Sequence, residues 1–204
     1  MDIKYSKDRI EFEKELNSLD KFVIDFCSIL NKLKIKYVIM SGYVAILFGR
    51  NRSSEDIDMF IEEIDFNKFK SIWDELKENF SCVNADDVED AFYKYLKDIN
   101  QIRFSRKDRY VPNIEMKFPK RDIDHYILEN RILVMLNKHM FFIANIEEQI
   151  AYKLYLGSEK DIEDAVYLYE IFKENINVSL LDHFCRKLNI EETAKKHLYE
   201  SAKD

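Results

Sequence analysis

Two aspartates, Asp56 and Asp58, stand two residues apart in the run Asp56-Ile57-Asp58-Met59-Phe60-Ile61. The run reads as a strand over residues 57–61, and strand alternation puts both carboxylates on one face, with Ile57, Met59 and Ile61 on the other. Phe60 returns to the carboxylate face further along. Carboxylates held side by side repel, and one is pushed toward protonation unless a cation lies with them. A hard divalent ion, Mg2+ or Mn2+, resolves the conflict while keeping positions open for phosphate and water. Two such ions roughly 4 Å apart can bracket the attacking and leaving oxygens of a phosphoryl centre. A third carboxylate from a neighbouring strand is then expected. Asn113-Ile114-Glu115-Met116-Lys117-Phe118 supplies one: Ile114, Met116 and Phe118 share a face and leave Glu115 on the other. If the two strands pair, Glu115 faces the acidic pair. With 39 acidic residues in the chain, spacing alone is weak evidence. Asp122 and Asp124 repeat it at a helix start, where acids favour the helix dipole.

Upstream, Ser41-Gly42 falls between a strand and a short helix. Free backbone N–H groups and the electropositive helix start make this a phosphate seat; glycine permits close approach and the serine hydroxyl can donate. A plain turn with Ser41 as helix cap is the alternative. Downstream, Lys153 lies at the edge of an apolar stripe, where lysines lay their stems on the core and expose the amine. Asp161 follows Ser158 by three, in the form of a capping box. Asp164 reads as a solvent-facing acid. The densest basic stretch, Arg103, Arg106, Lys107 and Arg109 followed by Lys117, Lys120 and Arg121, reads as a solvated strand edge or as a guide for an RNA or nucleotide acceptor.

The elements that must position these residues follow from periodicity. Residues 8–33 show three- and four-residue apolar steps and are expected to be one helix. Strands are expected over 36–40, 57–61, 101–105 and 111–118, and short helices over 43–48 and 88–96. Longer helices are expected from Asp65-Phe66 through Phe80 and over 121–129. Two further apolar runs occupy 131–136 and 140–144, and every signal from Asn145 onward is helical. The order predicts an α/β (α+β) fold, a mixed sheet flanked by helices. An α/β domain over 1–144 is expected, with a helical part over 145–204 packed on it.

The 204 residues, 47% hydrophobic and 35% charged, suit a globular chain. With 3 Gly there is no Walker loop and no Rossmann glycine fingerprint. A net charge of −7 excludes a generally basic nucleic-acid coat. Cys27, Cys82 and Cys185 form no C-x-x-C pair, so reduced thiols in a cytoplasmic protein are expected. No apolar run approaches the roughly 20 residues needed to span a bilayer.

Taken in order, Met40-Ser41-Gly42-x-x-Ala45, Arg52-x-Ser54-x-Asp56-Ile57-Asp58, and Glu115 between apolar neighbours resemble the polymerase-beta-like nucleotidyltransferase superfamily. The likeness is greatest to small prokaryotic nucleotidyltransferases, including the abortive-infection toxin type. The segments around Lys153 and Lys160-Asp161-Ile162-Glu163-Asp164-Ala165 extend it. The turn reads Ser-Gly where the family has Gly-Gly or Gly-Ser, Ser54 stands for a threonine, and Glu115 for the more frequent aspartate. The resemblance implies transfer of a nucleoside monophosphate from an NTP to an acceptor hydroxyl with release of pyrophosphate. Asp56 and Asp58 would hold two metals, with Glu115 joining the catalytic one or acting as base. Ser41 and Gly42 would hold the triphosphate, and Ser54 keeps the hydroxyl of that motif. Arg52 would steady phosphate or the loop bearing the acids. Lys153 would reach the triphosphate, and Asp161 would orient it or meet the acceptor. The acceptor could be a tRNA end, a protein side chain or a small molecule such as an aminoglycoside. The alternative is a non-catalytic nucleotide- or partner-binding module on this scaffold, such as an antitoxin component.

Overall fold

A computed structural model of the chain describes residues 2–6, 8–98 and 101–200. Among these, nine strands form one mixed sheet. They are β1 (Lys4–Ser6), β2 (Arg9–Phe12), β3 (Tyr37–Met40), β4 (Asp56–Ile61), β5 (Phe80–Cys82), β6 (Ile102–Arg106), β7 (Asn113–Lys117), β8 (Ile132–Leu136) and β9 (His139–Ile143). Their spatial order is β1-β2-β8-β9-β3-β4-β7-β6-β5. The centre holds β3 antiparallel to β4 and β4 parallel to β7. The helices are α1 (Ser18–Lys32), α2 (Gly42–Leu47), α3 (Phe66–Leu76), α4 (Val88–Asp90), α5 (Asp122–Glu129), α6 (Ile146–Leu156), α7 (Glu159–Phe172), α8 (Val178–Leu188) and α9 (Glu191–Ala194). Wider π-helical turns, Ala91–Leu96 and Lys195–Glu200, extend α4 and α9. None of the described helices is long and apolar enough to cross a membrane.

The main core lies on one face of the sheet. Ile57, Met59 and Ile61 of β4, Ile114 and Met116 of β7, and Ile102 and Phe104 of β6 meet Phe22, Phe26 and Leu30 of α1 and Phe69 and Ile72 of α3 there. Ile150, Leu154, Ala165, Leu168 and Phe172 of the C-terminal helices belong to the same cluster, and Phe172 meets Phe48 edge-on with ring centroids 4.7 Å apart. On the opposite face a smaller cluster joins Val38, Met40, Phe60 and Ala144 to Ile127 and Leu128 of α5. That second face also carries the carboxylates of β4 and β7.

Local chemistry sets the helix boundaries. Asn17 and Asp20 form a reciprocal capping box that starts α1, and buried Asp20 is kept satisfied by Tyr43 and Lys14. Asp65 caps α3, Ser158 caps α7, and Gly157 in the left-handed region (φ 70°) ends α6.

The expected helix over residues 8–33 begins only at Ser18. Arg9-Ile10-Glu11-Phe12 alternates exposed and buried and pairs in parallel with β8, which lies more than a hundred residues away. Its neighbour β1 and the three-residue β5 were also not expected. The runs over 131–136 and 140–144 form the antiparallel pair β8 and β9.

Candidate active site

Asp58 and Glu115 are cross-strand partners. The parallel register of β4 and β7 sets Asp56 opposite Asn113 and Asp58 opposite Glu115. Strands pair about 4.8 Å apart, so all four side chains leave one face at one end of β4. Each acid meets a protein donor. Asn113 Nδ2 donates to Asp56 Oδ1 at 2.7 Å, and Lys117 Nζ reaches Asp58 Oδ1 at 3.5 Å. Arg103 Nη2, from the adjacent β6, pairs with Glu115 Oε1 at 2.6 Å. Glu115 is buried, and burial raises its carboxyl above the usual value; Arg103 opposes the rise, while the charges of Asp56 and Asp58 add to it. The donor chemistry, three hard carboxylates on one face, suits a hard divalent cation. Among the described residues, however, no group of three or more His, Cys, Asp or Glu side chains is gathered as a ready metal cage.

The Ser41-Gly42 turn sits at the end of β3, whose Met40 is opposite Asp58. Ser41 has φ 64° and ψ −136°, a backbone conformation that glycine adopts freely and L side chains rarely do. Its side chain makes no cap hydrogen bond, and Gln149 of α6 donates to its carbonyl at 2.8 Å. Gly42 has no room for a side chain. A Cβ there would lie 2.3 Å from Arg52 Nη2 and 3.1 Å from Ser54 Oγ. The turn and the Arg-x-Ser segment are thus in contact, and Ser54 Oγ donates to the Asp56 carbonyl at 2.9 Å at the very start of β4.

Behind the turn lies a charged network centred on Asp164, which is fully buried and does not face solvent as its sequence context suggests. Arg52 donates to it twice, Nε to Oδ1 at 3.0 Å and Nη2 to Oδ2 at 2.8 Å. Arg50 Nε reaches Oδ1 at 3.2 Å, and Lys153 Nζ reaches Oδ2 at 2.8 Å. Lys153 also pairs with Asp161 at 2.8 Å, and Arg50 pairs with Glu163. Burial alone would raise the Asp161 carboxyl, but hydrogen bonds from Lys153 and Ser158 outweigh it and hold the group below the usual carboxylate range. The Lys153 side chain is 1% exposed, so its amine is held inside the protein between two carboxylates.

The fold therefore gathers Asp56, Asp58 and Glu115 on one face, and Ser41, Gly42, Arg52 and Ser54 at one turn beside it. Lys153 and Asp161 lie behind that turn, linked to it through Asp164 and Arg52. Asn113, Arg103 and Asp164 were missed as contributors. Asn113, Glu115 and Lys117 share alternate positions of one strand, a signal that was available; the partners of Arg103 and Asp164 come from elsewhere in the chain.

No family model and no curated protein matches the chain. Solved structures do. An antigenic nucleotidyltransferase-like protein from Paracoccidioides brasiliensis superposes with a TM-score of 0.53 at 20% identity, covering 87% of this chain and 92% of that one. JHP933 from Helicobacter pylori gives 0.47 at 15% identity, covering 91% and 85%. The antibiotic-resistance factor ANT(2'')-Ia gives 0.47 at 9% identity, covering 87% and 94%. The mixed sheet with its flanking helices has a nucleotidyltransferase-like fold.

Proposed function

We propose that the chain is a Mg2+- or Mn2+-dependent nucleotidyltransferase of the small prokaryotic kind. It would transfer an NMP from an NTP to an acceptor hydroxyl on RNA, protein or a small molecule. The observation that carries this reading is the register of Asp58 against Glu115, next to a strained Ser-Gly turn, within a nucleotidyltransferase-like fold. Asp56 and Asp58 would hold the divalent ion with Glu115, and the ion would neutralise charge at the α-phosphate. Ser41 and the backbone N–H groups at the start of α2 would bind the triphosphate. Glu115, whose carboxyl is raised by burial, would take the proton of the acceptor hydroxyl. The acceptor oxygen then bonds to the α-phosphorus, the bond to the β-phosphate bridging oxygen breaks, and pyrophosphate leaves. Arg52 would fix the turn and the acid-bearing loop, with Lys153 and Asp161 acting through Asp164 rather than on the triphosphate.

A second reading is a non-catalytic nucleotide- or partner-binding module, such as an antitoxin component. It is favoured by the pairing of Arg52 and Lys153 with protein carboxylates. Incubation with each labelled NTP, a divalent metal and a cell extract separates the two. Label transferred to a macromolecule or small acceptor with pyrophosphate release, lost in Asp58→Asn, supports the enzyme. Nucleotide binding without transfer or pyrophosphate release supports the module.

A further inference from the structure

Three carboxylates share the sheet face, and Arg103 and Lys117 bring two cations to it. The two cations are not equivalent. Lys117 Nζ lies 3.5 Å from Asp58 and 5.4 Å from the centre of the Phe60 ring, a loose contact shared with an aromatic face. Arg103 is 2.6 Å from Glu115, a short charge-assisted contact to a carboxylate whose side chain is only 10% exposed. Arg103 itself is 42% exposed at the side chain, and it springs from β6, the strand next to Glu115 and two strands from the aspartates. Its side chain thus borders solvent at the edge of the site. Its Nε–H is buried and has no hydrogen-bond acceptor among the described residues. An arginine with one donor committed to Glu115 and another left unmatched is held in an incomplete arrangement.

We infer that Arg103 is an internal counter-ion which occupies Glu115 until a divalent metal displaces it, so that Arg103 sets the metal affinity of the acid face. This rests on the metal-binding reading proposed above. A divalent ion and the Arg103 guanidinium at the same carboxylate repel each other across a partly desolvated site, so each weakens the other's hold on Glu115. Metal entry at Glu115 is therefore opposed while Arg103 stays and favoured when its guanidinium swings away. The freed guanidinium then stands at the edge of the site, where its planar fork suits a phosphate or another anion of the incoming substrate.

Manganese binding, followed by the loss of the free Mn2+ resonance on titration with protein, tests this without any need for turnover. The proteins compared are the wild type, Arg103→Ala, Arg103→Lys and Asp58→Asn, each shown to melt cooperatively. Removing the competing cation is expected to tighten Mn2+ binding about three- to tenfold in Arg103→Ala, with a smaller gain in Arg103→Lys, which keeps the charge but loses the fork. Unchanged or weaker Mn2+ binding in Arg103→Ala, with binding intact in the wild type and lost in Asp58→Asn, overturns the role of Arg103 and leaves the metal site standing. Absence of Mn2+ binding in every protein overturns both.

Discussion

Asp164 of α7 accepts two hydrogen bonds from the guanidinium of Arg52, and that guanidinium fills the space a side chain would occupy at Gly42. A helix of the C-terminal part thus sets the shape of the turn beside the acidic strand. The relationship joins the turn after β3 and the loop before β4 to the Lys-Asp-x-x-Asp stretch of α7, more than a hundred residues away. It also explains why Lys153 can be buried and Arg52 largely so at this position. Asp164 neutralises them where water cannot.

Loss of the Asp164 charge should therefore be felt first as instability. Asp164→Ala leaves Arg52 and Lys153 facing each other without their shared carboxylate and is expected to cost about 3 kcal/mol or more. Removing a cation at the same time should recover part of the loss, so that Asp164→Asn with Lys153→Met is less destabilised than the sum of the single changes. Urea denaturation of the four proteins measures this. Strict additivity would show that the network is not coupled.

Ser41 holds a backbone conformation that costs on the order of 1 kcal/mol for a non-glycine residue. Ser41→Gly should raise stability by about that amount, read as a shift of the urea midpoint at unchanged slope. If the hydroxyl donates to phosphate, the same variant should bind NTP more weakly despite its greater stability. Equal or lower stability would remove the claim of strain.

Gly42→Ala should act through Arg52. The new Cβ would meet a guanidinium that cannot simply turn away, because Asp164 holds it by two bonds. A loss of roughly 1–3 kcal/mol is expected, as for overpacking in a tight interior. Arg52→Ala in the same chain should relieve most of the added penalty. Thermal melts of the single and double variants decide the point, and a Gly42→Ala penalty indifferent to residue 52 would contradict it.

Glu148, on α6, gives the fold a pH dependence. Burial pushes its carboxyl up to about 8, Glu147 beside it adds to the rise, and the Asn145 backbone and Lys187 oppose it. Both its oxygens are buried, and no hydrogen bond of good geometry reaches them among the described residues. Between its ordinary value of 4.5 and about 8 the folded chain keeps the proton while the unfolded chain releases it. Stability contributed by this group is thus fully present at low pH and falls as pH rises through that window. Glu148→Gln should flatten this part of the melting-temperature profile between about pH 5 and about pH 8. A wild-type profile of the same slope as the variant's would show that Glu148 does not titrate in this way.

Much of the central sheet was legible because its signals are local. Asp56 to Ile61 and Asn113 to Lys117 alternate cleanly, and the face on which Asp58 and Glu115 meet follows once the strands pair. The edge of the sheet was hidden for the opposite reason. Phe12 falls at helical spacing before Leu16 and Leu19, while the alternation that makes Arg9–Phe12 a strand spans four residues and is satisfied by β8 far along the chain. Phe80–Cys82 offers only three residues of signal. Asp164 reads as an ordinary helix acid because Arg50 and Arg52, which bury it, lie more than a hundred residues away. Arg103 reads as one charge in a basic run because its partner Glu115 becomes visible only through the register of β6 and β7.

If Asp56, Asp58 and Glu115 together hold a divalent metal, that metal should bring an NTP to this face. Calorimetric titration of each NTP in the presence of Mn2+, into the wild type and into Asp58→Asn, tests it most directly. At least one NTP is expected to bind the wild type, with binding that disappears when Mn2+ is removed by a chelator and is absent in a folded Asp58→Asn. Equal NTP binding by both proteins, or binding indifferent to the metal, would contradict it.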